Sequence, residues 1–233
     1  MKKAINLQIN QDILKIIALL TMTIDHLGYI FTPSFEIPLR LIGRLSFPIF
    51  VFLLTFNLTK KDLFKKYISR LFIFAVITSL ILIPLKYQSG NILPLNIFWT
   101  LLLSVITIYG VEKTLQIFKQ NNCKYFIIGY ILCFSAIFSC LTDFELFGLF
   151  YILSLYGWFK NKHKAFGLLT LIFAFLMNLH FSTTASIIST LESLIFLLPL
   201  SSSNNSPRFL NPWWLFYAYY PAHLAIFYAV KLY

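Results

Sequence analysis

The chain has 233 residues, of which 59% are hydrophobic and 12% charged, with a mean hydropathy of +0.79 and a net charge of +11. Soluble domains carry about 25% charged residues, so this composition excludes a water-soluble fold and predicts one integral membrane domain over residues 1–233. Its basic residues lie in short segments between apolar stretches, which indicates membrane topology and contact with lipid rather than a nucleic-acid partner.

Apolar stretches follow one another along the whole chain. They predict an all-α polytopic bundle of about nine transmembrane helices, with spans at 12–31, 38–58, 67–85, 95–111, 125–141, 146–159, 165–181, 187–200 and 212–232. Pro48 is expected to bend the second span. The first span is not expected to be a cleavable signal peptide, because Asp25 and His26 lie near its end and no small-residue cleavage site follows.

Lysine-rich connections alternate with acidic or uncharged ones. The basic connections hold Lys60, Lys61, Lys65, Lys66, Lys113, Lys119, Lys124, Lys160, Lys162 and Lys164, whereas the alternate ones hold Glu36, Asp143 and Glu145. Because positive charge favours the cytoplasmic side, we predict a cytoplasmic N-terminus and a multi-pass protein of a bacterial cytoplasmic (inner) membrane. The polar segment 201–211 is predicted to be a cytoplasmic loop.

Polar and ionisable side chains gather at one depth of the predicted bundle, toward its outer side. They are Asp25, His26, Arg40, Arg44, Asn96, Thr100, Asp143, His180 and His223. Because such groups are costly inside a membrane, the clustering predicts a polar cavity open to the extracytoplasmic side. Two alternatives remain: Arg40 can anchor to lipid headgroups, and Arg44 can form a structural ion pair with Asp25 or Asp143.

The first span carries a more specific spacing. Lys15 precedes His26 by eleven positions, which returns to nearly the same helix face about 16 Å further along. A long ligand with an anionic head and a reactive tail can lie along that stripe. The alternative is that Lys15 reaches inward to the interface and that His26 is a packed polar residue. No metal site is predicted, because the three cysteines form no CxxC pair.

Several blocks of the sequence together resemble one family. They are LKIIALLTMTIDHLG from Leu14, LRLIGRLSFPIFVFLL from Leu39, YISRL from Tyr67, NIFWTL from Asn96, TDFELFG from Thr142 and FYAYYPAHL from Phe216. In this order they resemble TraX, the F-pilin N-acetylase family of integral membrane proteins. The pair Lys15 and His26 also resembles a pattern of the related type 3 membrane acyltransferases, which acetylate sugars. The chain departs from the family at Leu58-Thr59 and in the segment before the last span.

The resemblance implies transfer of an acetyl group from acetyl-CoA to an amine or hydroxyl of an extracytoplasmic acceptor, either a peptide N-terminus or a cell-envelope glycan. His26 is then the expected general base, and Asp25 and His223 are further catalytic candidates. Candidate ligands of acetyl-CoA or of an anion are Lys15, Arg40, Arg44, Asn96 and Tyr220. A membrane transporter and a non-catalytic membrane assembly protein are the competing hypotheses.

Overall fold

The computed structural model describes residues 7–31, 36–60, 63–88, 95–198, 200–202 and 213–232. These residues form ten α-helices and two short β-strands. In chain order the elements are β1 (Leu7–Ile9), α1 (Gln11–Phe31), α2 (Glu36–Gly43), α3 (Ser46–Lys60), α4 (Phe64–Gln88), α5 (Ile97–Ile117), α6 (Cys123–Ser139), α7 (Glu145–Asn161), α8 (Lys164–Leu179), α9 (Thr183–Phe196), β2 (Leu200–Ser202) and α10 (Trp213–Leu232).

Each predicted apolar span overlaps a helix, so the chain is a helical protein whose apolar helices indicate a membrane protein. Three described segments are long and apolar enough to cross a bilayer: Glu36–Thr59, Phe64–Ile83 and Ile97–Ile117. Three further helices are apolar but shorter: Cys123–Ser139, Lys164–Leu179 and Thr183–Phe196. The number of nine crossings stays a prediction.

The second predicted span is broken into α2 and α3 rather than only bent. Arg44 and Leu45 form a turn between the two helices. Pro48 lies in the first turn of α3 and has no N–H, so it cannot bond the Arg44 carbonyl, and a continuous helix would leave that carbonyl without its usual donor. Because of the break, Arg44 lies in a turn outside α3, and its side chain contacts the rings of Phe144 and Phe181.

The ten helices confirm the predicted all-α class, and two strands of three residues each are a small addition to it. β1 pairs in parallel with β2, with Leu7 opposite Leu200 and Ile9 opposite Ser202. The pairing joins the segment before α1 to the segment after α9, which the apolar pattern gave no reason to expect. The predicted loop 201–211 therefore begins within β2, and its residues 203–211 lie outside the described part of the chain.

The connections between helices collect at two ends of the bundle. We call one the basic end, because it holds Lys65, Lys66, Lys113, Lys119, Lys124, Lys160, Lys162 and Lys164, and the other the acidic end, because it holds Glu36, Asp143 and Glu145. At the basic end Lys160 pairs with Glu112. At the acidic end the Phe47 and Phe144 rings stack with centroids 3.9 Å apart. The charge asymmetry read from the sequence is therefore an asymmetry of the folded bundle.

Aromatic rings form the centre of the bundle between α3, α7 and α9. Phe52 is fully buried, and its ring lies 4.5 Å from that of Phe196 and 5.7 Å from that of Phe159. On the outside, α6 exposes large apolar side chains such as Phe126, at 84%. A helix that is apolar on its exposed face is suited to lipid, and association of such helices depends on close packing rather than on escape from water.

Polar side chains join the helices α7, α8 and α9. The Tyr151 hydroxyl lies 3.0 Å from the Ser193 hydroxyl, and Asn178 donates to Ser189 Oγ at 2.7 Å. Such bonds across helices stabilise membrane bundles by about 0.6 kcal/mol each. They hold α8 and α9 against α7, which positions the α8–α9 connection at the acidic end.

Candidate functional site

Two histidines from distant parts of the chain meet where α10 crosses α1. His26 Nδ1 lies 3.0 Å from His223 Nε2, and His223 Nδ1 lies 2.8 Å from the Tyr219 carbonyl oxygen one turn earlier. The Thr23 hydroxyl donates to the Leu19 carbonyl, so in its 2.7 Å contact with the Tyr219 hydroxyl it accepts the hydrogen bond. These bonds tie the two helices together at the point where the imidazoles touch.

The order of these bonds assigns a proton to each imidazole. A carbonyl oxygen only accepts, so His223 Nδ1 donates to Tyr219, and Nε2 of the neutral His223 ring must accept. His26 Nδ1 is therefore the donor in the contact between the rings, and the His26 ring also hydrogen-bonds the backbone of Met22 one turn earlier. Neutral His26 is left with its lone pair on Nε2, which is the form that a general base needs.

A cavity of about 160 Å³ lies between α1, α3, α4, α5 and α10. Its wall is largely apolar, with aromatic side chains such as Phe98 and Tyr217. Tyr220 also lines it, and the Tyr220 ring centroid lies 5.9 Å from that of His26 and 5.6 Å from that of His223. Through Tyr220 the cavity borders the histidine pair.

Two cations line the same cavity on the side toward the basic end. Lys15 Nζ lies 2.8 Å from Asp12 Oδ1, and an ammonium group has three donors, so this bond leaves capacity for a ligand. Arg70 hydrogen-bonds the Tyr217 side chain. Lys15 and Met22 are the α1 residues that line the cavity, so it follows the predicted stripe from Lys15 as far as Met22, one turn before His26.

Arginines from the broken second span form a second group, at the acidic end. The guanidinium carbons of Arg40 and Arg44 lie 4.6 and 4.7 Å from the centroid of the Phe181 ring. We call Arg40, Arg44 and Phe181 the arginine cluster. Arg40 also pairs with Glu36 at 3.1 Å, in the same helix. Arg44 forms no direct ion pair with Asp25 or Asp143 within the described part of the chain, so the pairing considered as its alternative role is not observed.

Asp25 lies against the backbone of Gly43, next to the arginine cluster. A Cβ at Gly43 would lie 2.2 Å from Asp25 Cβ and 2.4 Å from Asp25 Oδ1. Asp25 Oδ1 is buried and has no hydrogen-bond partner among the described residues. His223, the other further catalytic candidate, bonds His26 and not Asp25.

Asn96 has a structural role as the cap of α5. Its Oδ1 accepts from the Phe98 N–H at 3.0 Å, and its Nδ2 donates to the Ala75 carbonyl at 3.1 Å and to Ser79 Oγ at 3.2 Å. Because both amide hydrogens are used within the protein, the predicted contact of Asn96 with a ligand has no donor left. We therefore leave Asn96 out of the functional site.

Asn96→Ala should lower the free energy of unfolding by about 1–3 kcal/mol, because it removes the cap and leaves buried partners without a bond. Thermal unfolding of the protein in detergent measures the loss. Asn121→Ala is the matched control, since the Asn121 side chain accepts a similar bond from the Cys123 N–H at an exposed site. Equal melting temperatures of the two variants would contradict the role of Asn96.

The sequence identified most of the candidate site residues. It did not show that they fall into two separate groups, with Lys15 apart from both. The structure brings His26, His223 and Tyr220 into one group, Asp25, Arg40 and Arg44 into another, and leaves Lys15 at the far side of the cavity. Sequence reasoning missed Arg70 and Phe181. Arg70 had a usable signal, as a charged residue within a predicted span. Phe181, one of 26 phenylalanines, had none.

Sequence similarity to known proteins extends along almost the whole chain. The uncharacterized protein RP591 of Rickettsia prowazekii (strain Madrid E) is 31% identical over 122 residues, which cover 52% of this chain and 46% of that protein. The match thus spans about half the length of that curated relative. No solved structure matches the chain. The profile of the TraX protein family matches residues 10–231, and the chain therefore belongs to the TraX family.

Proposed function

We propose that the protein is a membrane-embedded acetyltransferase that moves an acetyl group from acetyl-CoA to an amine or hydroxyl of an extracytoplasmic peptide or glycan. One observation carries the proposal: a histidine pair with a defined protonation order borders, through Tyr220, a cavity that holds two cations on its other side. This arrangement matches a donor with an anionic head and a reactive thioester. Membership of the TraX family supports the same chemistry.

In the proposed reaction, Lys15 and Arg70 hold phosphate groups of CoA toward the basic end. The thioester then lies at the Tyr220 end of the cavity. The lone pair of the acceptor's amine nitrogen or hydroxyl oxygen forms a bond to the acetyl carbonyl carbon. At the same time His26 Nε2 takes the proton of that attacking group. The tetrahedral oxyanion collapses, the carbon–sulfur bond breaks, and the proton on His26 passes to the leaving thiolate. The products are CoA and the acetylated acceptor.

His223 has a positioning role in this reaction. When His26 gains a second proton, its Nδ1–H still donates to His223 Nε2, which stabilises the imidazolium. The carbonyl of Tyr219 keeps His223 in the accepting tautomer. His223 thus orients the His26 ring by accepting its Nδ1–H, as the carboxylate does for the histidine of a hydrolase triad. Unlike that carboxylate, His223 is neutral.

The proposed orientation places the basic end in the cytoplasm, with the N-terminus on the same side, in the cytoplasmic membrane of a bacterium. Acetyl-CoA is made in the cytoplasm, so it would enter from the basic end. The acceptor would approach from the acidic end. Donor and acceptor would then meet at the histidine pair, which the cavity borders through Tyr220.

The test uses the purified full chain in proteoliposomes with radiolabelled acetyl-CoA and cell-envelope extract as the acceptor source. We expect label to appear in envelope material only when acetyl-CoA is on the side of the basic end. Lys15→Glu and Arg70→Glu should each raise the KM for acetyl-CoA roughly tenfold or more, because each places a negative charge beside the phosphates.

Lys113→Glu is the control, since Lys113 is exposed at the basic end and does not line the cavity. No label transfer from either side of the membrane would refute the acetyltransferase proposal. Transfer with an unchanged KM in Lys15→Glu and Arg70→Glu would refute the phosphate site.

A further inference from the structure

We propose that the arginine cluster is the acceptor site and selects acceptors that bear a carboxylate or phosphate beside the group to be acetylated. The inference rests on the proposed function and names the substrate class of the same site. The phosphates of the donor are already assigned to Lys15 and Arg70 across the cavity. An anion bound by Arg40 and Arg44 at the opposite end is therefore a different one.

Two aromatic faces contact the Arg44 guanidinium, whereas Asp25 and Asp143 act on it electrostatically without a direct ion pair among the described residues. It lies 4.7 Å from the Phe181 ring centroid and 5.7 Å from that of Phe144. The Phe144 ring is itself fixed by stacking on Phe47 at 3.9 Å. Contact with a ring face orients a guanidinium without using its N–H donors. Arg44 is thus preorganised with its hydrogen-bonding edge unused.

The donors of Arg44 have no partner in the described part of the chain. Its Nε is buried without a hydrogen bond, and no carboxylate forms a direct ion pair with it. A buried N–H without a partner is costly, and a bidentate oxyanion would satisfy Arg44 Nε together with a terminal N–H. Arg40 adds a second positive charge at the same ring, although Glu36 engages part of it.

Asp25 supplies the complementary half of the site. Asp25 Oδ1 is buried and unpartnered, and it touches Gly43, the residue before Arg44. A carboxylate oxygen there accepts a hydrogen bond from an ammonium, amine or hydroxyl group. Asp25 also precedes His26, the proposed base, in α1. An acceptor with an oxyanion on Arg44 and its N–H or O–H toward Asp25 presents both groups that the site leaves unsatisfied.

The experiment uses three sugars that share one ring and differ only at the sixth carbon: galactose, galacturonate and galactose 6-phosphate. Binding to the full chain in lipid nanodiscs is followed by NMR of ¹⁵N-labelled arginine, with the Arg44 signal assigned from Arg44→Lys. We expect both anionic sugars to shift the Arg44 Nε signal and to bind at least tenfold more tightly than galactose. Inorganic phosphate is a separate arm and should bind more weakly than the sugar phosphate.

Variants separate the cluster from general electrostatics. Arg44→Gln should weaken galacturonate binding roughly tenfold to a hundredfold, and Phe181→Leu roughly three- to tenfold. Phe126→Leu is the matched control, because it removes an exposed ring on α6. Equal or undetectable binding of the three sugars, unchanged binding in Arg44→Gln, or inorganic phosphate binding as tightly as galactose 6-phosphate would overturn the proposal.

The readout distinguishes this proposal from the proposed function, because binding is measured without acetyl-CoA. Selective binding of the anionic sugars by a chain that transfers no acetyl group would uphold the acceptor site and refute the acetyltransferase. Acetyl transfer that prefers galactose to galacturonate would uphold the acetyltransferase and refute the acceptor site.

Discussion

His26→Ala should lower acetyl transfer by about 10²–10⁴-fold, because it removes the base that accepts the proton of the attacking group. The binding of acetyl-CoA should change little, since Lys15 and Arg70 at the other side of the cavity are intact. Single-turnover transfer and equilibrium binding of acetyl-CoA measure the two effects separately. His180→Ala is the matched control, because His180 is exposed at the end of α8. Undiminished transfer in His26→Ala would remove His26 from the chemistry.

The role of His223 is tested by two substitutions of different chemistry. His223→Leu removes the side-chain acceptor for His26 Nδ1–H and leaves the His26 ring only its bond to the Met22 backbone, whereas His223→Gln places an amide oxygen where it can accept the bond that His223 accepted. We expect His223→Gln to retain most of the activity and His223→Leu to lose about tenfold or more. In ¹⁵N-histidine NMR, His26 should carry its proton on Nδ1 in the wild type and in His223→Gln. Equal activities of the two variants would contradict the positioning role.

Gly43→Ala should both destabilise the protein and reduce activity. The new Cβ would lie 2.2 Å from Asp25 Cβ, and both groups are held in packed helices, so α1 and α2 must move apart. Overpacking of this kind costs about 1–3 kcal/mol. The displacement also carries Arg44 and Asp25 away from their positions, and an error of about 1 Å in a reacting group can cost about 10²-fold in rate. Thermal unfolding and acetyl transfer measure the two effects.

Gly129→Ala supplies the control for this substitution. Gly129 is also helical, but a Cβ there meets nothing within 4 Å, so the same change should leave stability and activity almost unaffected. If the two alanine variants behaved alike, the close approach of Gly43 to Asp25 would not be what joins α1 to α2.

The helices were predictable because each apolar stretch is long and is interrupted by charged or polar connections. The break between α2 and α3 was not, because Pro48 only weakens a helix locally, and the surrounding packing decides whether the chain bends or turns. Asn96 shows the limit for single residues. A polar residue at the start of a span is equally typical of a ligand donor and of a helix cap, and only its bonds to Phe98 and Ala75 distinguish them.

The sequence by itself determined that the chain is a membrane protein, which of its connections are basic, and which polar residues lie inside its apolar spans. It also carried enough of the family's motifs to identify the TraX family. The membrane class and the charge pattern follow from composition and from periodicity along single helices, whereas the family follows from the motifs alone.

Only the tertiary structure decided that His223 bonds His26 rather than Asp25, that Phe181 joins Arg40 and Arg44, and that Arg70 shares a cavity with Lys15. The physical reason is that helices separated by up to 197 positions pack at rotations fixed by the fit of all their side chains together. Local periodicity specifies the face of each helix but not the neighbour that the face meets.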